Sequence, residues 1–347
     1  MYQNSIVRQL KVIRLVQESK DARTFVLEPL NGWKPEYKAG QFLTLVFHTE
    51  YGEKRRSYSM SSAPATDQEL AITIKKLDNG EFSRALLTTV KEGDILESTG
   101  IAGQFTLPEN DPLIRQFFFV AAGSGITPCF SLIKTLLHTT DQLVTLIYSN
   151  KSPEDAIFYT QLRELQELYR ERFTVKYLFS SESGIYNTRL SSWLLDQLID
   201  QHLRVGRNEA MFYICGPFDY MLTVQITLLS RFPASHVMKE NYSSLPRKIK
   251  EQPPDTEAHQ AMLSIGGETF SVPVQYPKSI LEAAISQGIQ LPYSCKAGRC
   301  ASCVATCSKG TVWMAYNEVL TDDEVAKGRI LVCQSFPIGG DVEIRYE

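Results

Sequence analysis

The chain is poor in the residues that hydrolytic and nucleic-acid chemistry rely on. Its five histidines are scattered through 347 residues, and none lies beside a candidate nucleophile, so there is no basis for a Ser-His-Asp triad. Lys and Arg number 36 against 39 Asp and Glu, a net charge of -3. Without a long basic run, that balance offers no footprint for nucleic acid. No stretch approaches the ~18 consecutive apolar residues that a membrane-spanning helix needs. The opening "MYQNSIVRQLKVIRL" alternates polar and apolar residues and lacks the continuous apolar core of a signal peptide. The expected compartment is the cytoplasm, where the seven cysteines suit metal or redox chemistry better than disulfides.

What is present divides into three textures, as expected for a chain longer than one ordinary domain. The runs "SIVRQLKVIRLVQ", "ARTFVLEPL", "QFLTLVFHT", "ELAITIKKL" and "DILESTGIAGQFTLP" alternate and are separated by turn residues, which predicts a small antiparallel β-barrel over 1–111. From 112 to 245 the apolar runs "QFFFVAA", "LVTLIYSN", "FTVKYLFS" and "AMFYICG" alternate with helical segments, which predicts an α/β doubly wound parallel sheet. One such helix is expected from Ser152, as cap, and Pro153 onward. Residues 246–259 are Pro-rich and charged and read as a linker. From 260 to 347 a hairpin turning at Gly266-Gly267, a short helix and a cysteine loop form a third, α+β unit.

Cys295, Cys300 and Cys303 in "YSCKAGRCASC" are spaced C-x4-C-x2-C, and Cys333 follows in "ILVCQS". The small residues Ala297, Gly298, Ala301 and Ser302 let loop amides approach a bound group, and Lys296 and Arg299 offset thiolate charge. Zinc is an alternative, although zinc sites favour two C-x2-C pairs or nearby histidines. A disulfide framework and chance core neighbours are the others. Cys129, Cys215 and Cys307 stand outside the pattern, with Cys307 expected in a core. The spacing resembles that of plant-type [2Fe–2S] ferredoxins. Residues 260–347 are similar to such a β-grasp-like domain throughout, which implies that Cys295, Cys300, Cys303 and Cys333 hold a [2Fe–2S] cluster.

Five further stretches precede it. "RRSYSMSSAP" contains Arg56, Ser57, Tyr58 and Ser59 as R-x-Y-S, where an arginine can fork onto phosphate and a tyrosine can stack on a flavin. An ordinary exposed strand face is the plain alternative. "NGEFSRALL" sets Gly80 and Ser83 at a helix start, offering amides and a hydroxyl to a pyrophosphate. "FFFVAAGSGITPCFSL" runs a strand into Gly123, Ser124, Gly125, Thr127 and Pro128 before a helix, as G-x-G-x-x-P rather than the G-x-G-x-x-G fingerprint. "FYICGPFDYM" and "KENYSS" place Cys215, Gly216 and Pro217, then Glu240 and Tyr242, at strand ends.

In this order the motifs resemble ferredoxin–NADP reductase-type flavoproteins. With the C-terminal unit, the chain resembles the fused reductase components of oxygenases, the phenylacetyl-CoA epoxygenase type among them. The resemblance implies an FAD-binding barrel, with FMN as the alternative, an NAD(P) domain and a ferredoxin domain. Arg56, Ser57, Tyr58, Ser59, Ile74, Lys75, Gly80, Phe82 and Ser83 would surround the flavin, with Glu240 and Tyr242 approaching it. The Gly123–Pro128 loop, Cys215, Gly216 and Pro217 would surround the nucleotide, and Ser59, Cys215 and Glu240 would be catalytic. Lys151 and Arg189, with Ser181 as a third contact, favour NADPH over NADH. The implied activity is an NAD(P)H:ferredoxin-type oxidoreductase that passes electrons from NAD(P)H through FAD to the cluster and on to a separate redox protein such as an oxygenase. The competing reading is a redox-sensing or electron-transfer subunit without turnover of its own.

Overall fold

The computed structural model describes residues 7–77, 80–108, 111–181, 189–242 and 252–346. The first unit is a six-stranded antiparallel sheet of β1 (Arg8–Ser19), β2 (Ala22–Pro29), β3 (Phe42–Thr49), β4 (Gly52–Ser59), β5 (Leu70–Lys75) and β6 (Ile95–Ala102), in the order β4-β3-β6-β1-β2-β5. The two edges meet through a bridge between Met60 and Ile72, and Ser61 N donates to Ala71 O at 2.9 Å. The sheet therefore curls into a barrel with Leu10, Phe25, Leu43 and Ile72 inside. Helix α1 (Glu81–Thr89) lies between β5 and β6. β4 is absent from the alternating runs named above because its sequence GEKRRSYS is mostly polar. Pairing with β3 from Phe42↔Ser59 to Thr49↔Gly52 makes it a strand all the same.

The second unit is a parallel sheet of β7 (Gln116–Ala122), β8 (Leu143–Asn150), β9 (Phe173–Phe179), β10 (Ala210–Cys215) and β11 (Val237–Glu240), in the order β11-β10-β7-β8-β9. Every residue of β7 and β10 is buried, as a sheet covered on both faces requires. Alternation splits them between two cores. Phe117, Phe119, Tyr213 and Cys215 face α2 (Ile126–Thr139) and the barrel, whereas Phe118, Val120, Phe212 and Ile214 face α4 (Ser192–His202) and α5 (Phe218–Leu229). The chain order reverses between β7 and β10, which opens a crevice at their carboxyl ends.

The helix expected from Ser152 starts later. Pro153–Asp155 form one 3-10 turn, Phe158 has φ 61°, and α3 runs Tyr159–Leu168. Ala156, Ile157 and Phe158 are all buried, and Phe158 stacks on Phe130 at 4.2 Å. The left-handed Phe158 interrupts a right-handed helix at the point where its ring packs on Phe130, so tertiary packing overrides the capping signal. Ser152 Oγ instead donates to Asp155 Oδ2 at 2.9 Å.

The third unit is a mixed sheet of β12 (His259–Ile265), β13 (Glu268–Val274), β14 (Val304–Met314), β15 (Arg329–Leu331) and β16 (Ser335–Arg345), in the order β13-β12-β16-β14-β15, with α6 (Ile280–Ser286) packed on it and α7 (Asp322–Ala326) before β15. The hairpin turns at Gly266 and Gly267, with φ of 58° and 83°, and Ser279 forms a capping box with Glu282 at the start of α6. Residues 246–251 of the expected linker lie outside the described residues. Asp255, in its remainder, accepts from Gly339 N at 2.7 Å and pairs with His259. Cys307 is only partly buried at the margin of the core.

Candidate functional site

Three segments converge at the junction of the units. On the barrel, β4 alternates. Arg56 lies with its guanidinium 4.6 Å over the Phe82 ring at the start of α1, and Arg55, one residue earlier, points to the cysteine loop. Gly80 leads into α1, where an added Cβ would fall 2.5 Å from Ser83 Oγ. The Ser83 hydroxyl is buried and closes that turn, accepting from Leu77 N and donating to Gly80 O, both at 3.2 Å. The α1 start thus offers amides and the nearby Arg56 to an anion, with the hydroxyl already engaged.

Ser59 ends β4 and is buried. Its hydroxyl donates to Glu240 Oε2 at 3.1 Å and meets the Tyr242 hydroxyl at 3.0 Å. Desolvation pushes the Glu240 carboxyl up to about 8, against the opposing pull of bonds from Ser59 and Tyr242. The carboxyl therefore keeps its proton at neutral pH. Burial likewise holds the thiol of Cys215, which is fully buried, well above the ordinary range.

The loop Gly123–Gly125 follows β7 as one 3-10 turn. Gly123 has φ 54°, and a Cβ on Gly125 would stand 2.0 Å from the Cys215 carbonyl oxygen. Only glycine lets the two strand ends approach this closely. Behind the loop, Thr127 Oγ1 and both polar atoms of the Asn150 side chain are buried without a hydrogen-bond partner. Such groups are rare in a finished interior and suit a site that receives a polar ligand.

The four cysteine thiols meet as two pairs, Cys295 with Cys300 and Cys303 with Cys333. Among the described residues no three Cys, His, Asp or Glu side chains converge on a single point. Two thiolates for each of two irons is the donor set of a [2Fe–2S] cluster, whereas tetrahedral zinc needs four ligands at one centre. The backbone is shaped for a bound group. Lys296 and Ala301 hold φ of 52° and 57°, and a Cβ on Gly298 would lie 2.8 Å from the Tyr316 carbonyl oxygen. The residues present fit the cluster. A cleft of about 690 Å³ is shared by all three units, lined by Arg56 and Ser59, by Glu240 and Tyr242, and by Cys295 and Cys300.

Residues 9–107 match the oxidoreductase FAD-binding domain family, 119–225 the oxidoreductase NAD-binding domain family, and 263–337 the 2Fe-2S iron-sulfur cluster binding domain family. The ferredoxin reductase component of 3-ketosteroid-9-alpha-monooxygenase from Mycobacterium tuberculosis is 31% identical over 98% of this chain and 96% of its own. The chain belongs to the ferredoxin reductase components of oxygenases. The reductase is also 29% identical to one component of the 1,2-phenylacetyl-CoA epoxidase of Escherichia coli, over 97% of both chains. Phthalate dioxygenase reductase shares its fold, with a TM-score of 0.62 and 24% identity over 99% of each chain. Membership decides for an NAD(P)H oxidoreductase that passes electrons through FAD to a [2Fe–2S] centre, and against a sensing protein without turnover. No helix among the described residues is long and apolar enough to cross a membrane.

The reductase brings Ser59, Glu240, Tyr242, Cys215 and Gly125 together from segments far apart in sequence. Gly216 packs with Ala122 and Tyr220 around the place its Cβ would take, and Pro217 precedes α5. Ser124 is partly buried and Pro128 buried in the first turn of α2. Lys75 Nζ reaches within 3.6 Å of the position a Gly123 Cβ would occupy, while Ile74 lies in the barrel core. Tyr58 is half-buried on the Arg56 side of β4. Lys151 and Arg189 are exposed on separate loops, and Ser181 N donates to the Lys151 carbonyl at 2.9 Å. Contacts unforeseen in the sequence tie the units together. Arg55, with its side chain 4% exposed, stacks 3.9 Å over Tyr293 and donates to its carbonyl at 3.2 Å, and the Ser57 and Ser294 hydroxyls meet at 2.6 Å. No local pattern could reveal partners more than 230 positions apart.

Proposed function

We propose that the reductase takes electron pairs from NADPH in the cytoplasm and delivers single electrons to a separate oxygenase component. The proposed units are an FAD barrel over 1–111, an NAD(P) domain over 112–245, a linker over 246–259 and a ferredoxin domain over 260–347. The observation that carries the reading is the shared cleft, in which the Ser59–Glu240–Tyr242 contacts and two cluster cysteines line one space. When bound, FAD accepts a hydride and releases electrons singly to the cluster. The chain's own residues position and shield. Arg56 and the α1 amides hold the flavin phosphates, beside Ser57, Tyr58, Lys75, Gly80 and Phe82. Gly123, Ser124, Gly125, Thr127 and Pro128 admit the nucleotide pyrophosphate and nicotinamide, with Gly216 and Pro217 opposite.

Ser59, Cys215 and Glu240 border the point of hydride arrival. Glu240, neutral at pH 7, places no negative charge where a second negative charge would oppose reduction, and Ser59 can donate to the accepting nitrogen. Tyr242, 44% exposed, covers the site until the nicotinamide enters. Cys295, Cys300, Cys303 and Cys333 hold the cluster. NADPH is favoured by the exposed cations Lys151 and Arg189, which are in no ion pair among the described residues, with Ser181 beside Lys151. An oxygenase as acceptor is supported by the relatives, which serve a ketosteroid monooxygenase, a phenylacetyl-CoA epoxidase and a glycine betaine monooxygenase.

Anaerobic titration with NADPH and then NADH, followed by visible spectroscopy, tests the reading. Bleaching of flavin and cluster bands at stoichiometric NADPH is expected, and Lys151→Ala raises the NADPH KM about tenfold, worth ~1.4 kcal/mol, without moving that for NADH. A lower KM for NADH in the unaltered protein overturns the choice of donor. Flavin bleaching with an unreduced cluster overturns the electron route.

A further inference from the structure

The end of β11 has two working faces. Glu240 and Tyr242 turn to Ser59 of the barrel, and the alternation of an extended chain sends Lys239 and Asn241 the opposite way. Both of the latter meet one carboxylate of the ferredoxin domain. Glu318 Oε1 accepts from Asn241 Nδ2 at 3.0 Å, and Lys239 Nζ lies 3.8 Å from the same oxygen. Its other oxygen, Oε2, accepts from Arg299 Nε at 2.9 Å and from the Tyr316 hydroxyl at 2.7 Å. Arg299 immediately precedes the cluster residue Cys300, and the Glu318 amide donates to Gly298 O in the same loop at 3.1 Å. Glu318 and Arg299 side chains are 13% and 11% exposed. In such shelter charge-assisted bonds are among the stronger ones.

One oxygen of a single side chain thus serves the nucleotide domain and the other serves the cluster loop. We infer that Glu318 is a positioning residue for flavin-to-cluster transfer: it fixes the cluster loop against the strand that carries Glu240, and it holds the Arg299 charge beside the cluster in check. This rests on the electron route proposed above. In the step it serves, one electron leaves the two-electron-reduced flavin and one ferric iron becomes ferrous.

The test uses the full-length reductase with both cofactors. In anaerobic stopped-flow with NADPH, Glu318→Gln and Asn241→Ala leave flavin bleaching within about twofold and slow cluster bleaching about tenfold, the factor corresponding to ~1.4 kcal/mol. Removing the carboxylate charge also raises the cluster potential in Glu318→Gln, while Asn241→Ala leaves it unchanged. Glu318→Asp restores the potential because the charge remains, which a merely structural role would not predict. Unchanged cluster bleaching in both variants overturns the inference, as does an unmoved potential in Glu318→Gln. If Glu318→Gln loses its cluster, Asn241→Ala decides alone, since slowed transfer there supports the bridge and an unaltered rate refutes it. Failure of the unaltered protein to reduce its cluster would instead refute the electron route.

Discussion

Gly125→Ala perturbs the nucleotide site through geometry alone. The added Cβ would stand 2.0 Å from Cys215 O, 2.4 Å from Cys215 C and 2.8 Å from Gly216 N, all backbone atoms between two fully buried strands. No side chain can swing away. Ordinary contact begins at 3.4 Å, so the loop and the end of β10 must part by at least 1.4 Å. Overpacking of this kind costs roughly 1–3 kcal/mol of stability. A misplacement of about 1 Å between reacting groups costs on the order of a hundredfold in rate, or ~2.7 kcal/mol. We therefore expect kcat/KM for NADPH to fall about a hundredfold, measured with an artificial one-electron acceptor. The flavin and cluster spectra should persist because the three atoms nearest the added Cβ all belong to Cys215 and Gly216, outside the barrel and the cysteine loop. A kcat/KM within threefold of the unaltered protein, with the fold intact by thermal denaturation, would refute the assignment of this crevice to the nucleotide.

Glu240→Gln should flatten the pH dependence of stability. The folded carboxyl keeps its proton up to about 8, and the unfolded one loses it near 4.5, so the native state binds more protons across that interval and stability falls as pH rises through it. Glutamine is neutral throughout, so its advantage over the natural residue should grow by ~2 kcal/mol between pH 5 and 8 in urea titrations; parallel curves would contradict the burial argument. Cys333→Ala should abolish the cluster absorption while NADPH still bleaches the flavin, and Cys307→Ala should change neither; a surviving cluster band in the first variant would remove Cys333 from the ligand set.

Much of the architecture is legible because each unit announces itself locally. Strands such as QFFFVAA are buried on both faces and read as continuous apolar runs, and the C-x4-C-x2-C spacing carries its chemistry in nine residues. Legibility fails where tertiary contacts override local preference. Ser152 and Pro153 look like a helix start, yet the Phe158–Phe130 stack pulls Ala156–Phe158 inward and delays α3 to Tyr159. β4 is too polar for a periodicity signal, and β11 spans only four residues. Ser83 also closes its own turn through Leu77 N and Gly80 O, a local role that its sequence motif does not display. Glu318 gives no sign at all, because its link to the nucleotide domain lies in a donor, Asn241, 77 positions away.

The division of labour along Val237–Tyr242 bears on how this stretch tolerates length change. Losing either Val237 or Met238 would turn every following side chain to the opposite face. Lysine and asparagine would then meet Ser59, and a carboxyl and a phenol would confront Glu318, setting acid against acid. Losing two residues would restore the polarity of both faces at the expense of reach. Insertions and deletions here should be accepted in even steps and rejected in odd ones, so that a parity rule, rather than the identity of any one side chain, guards the junction of the three units.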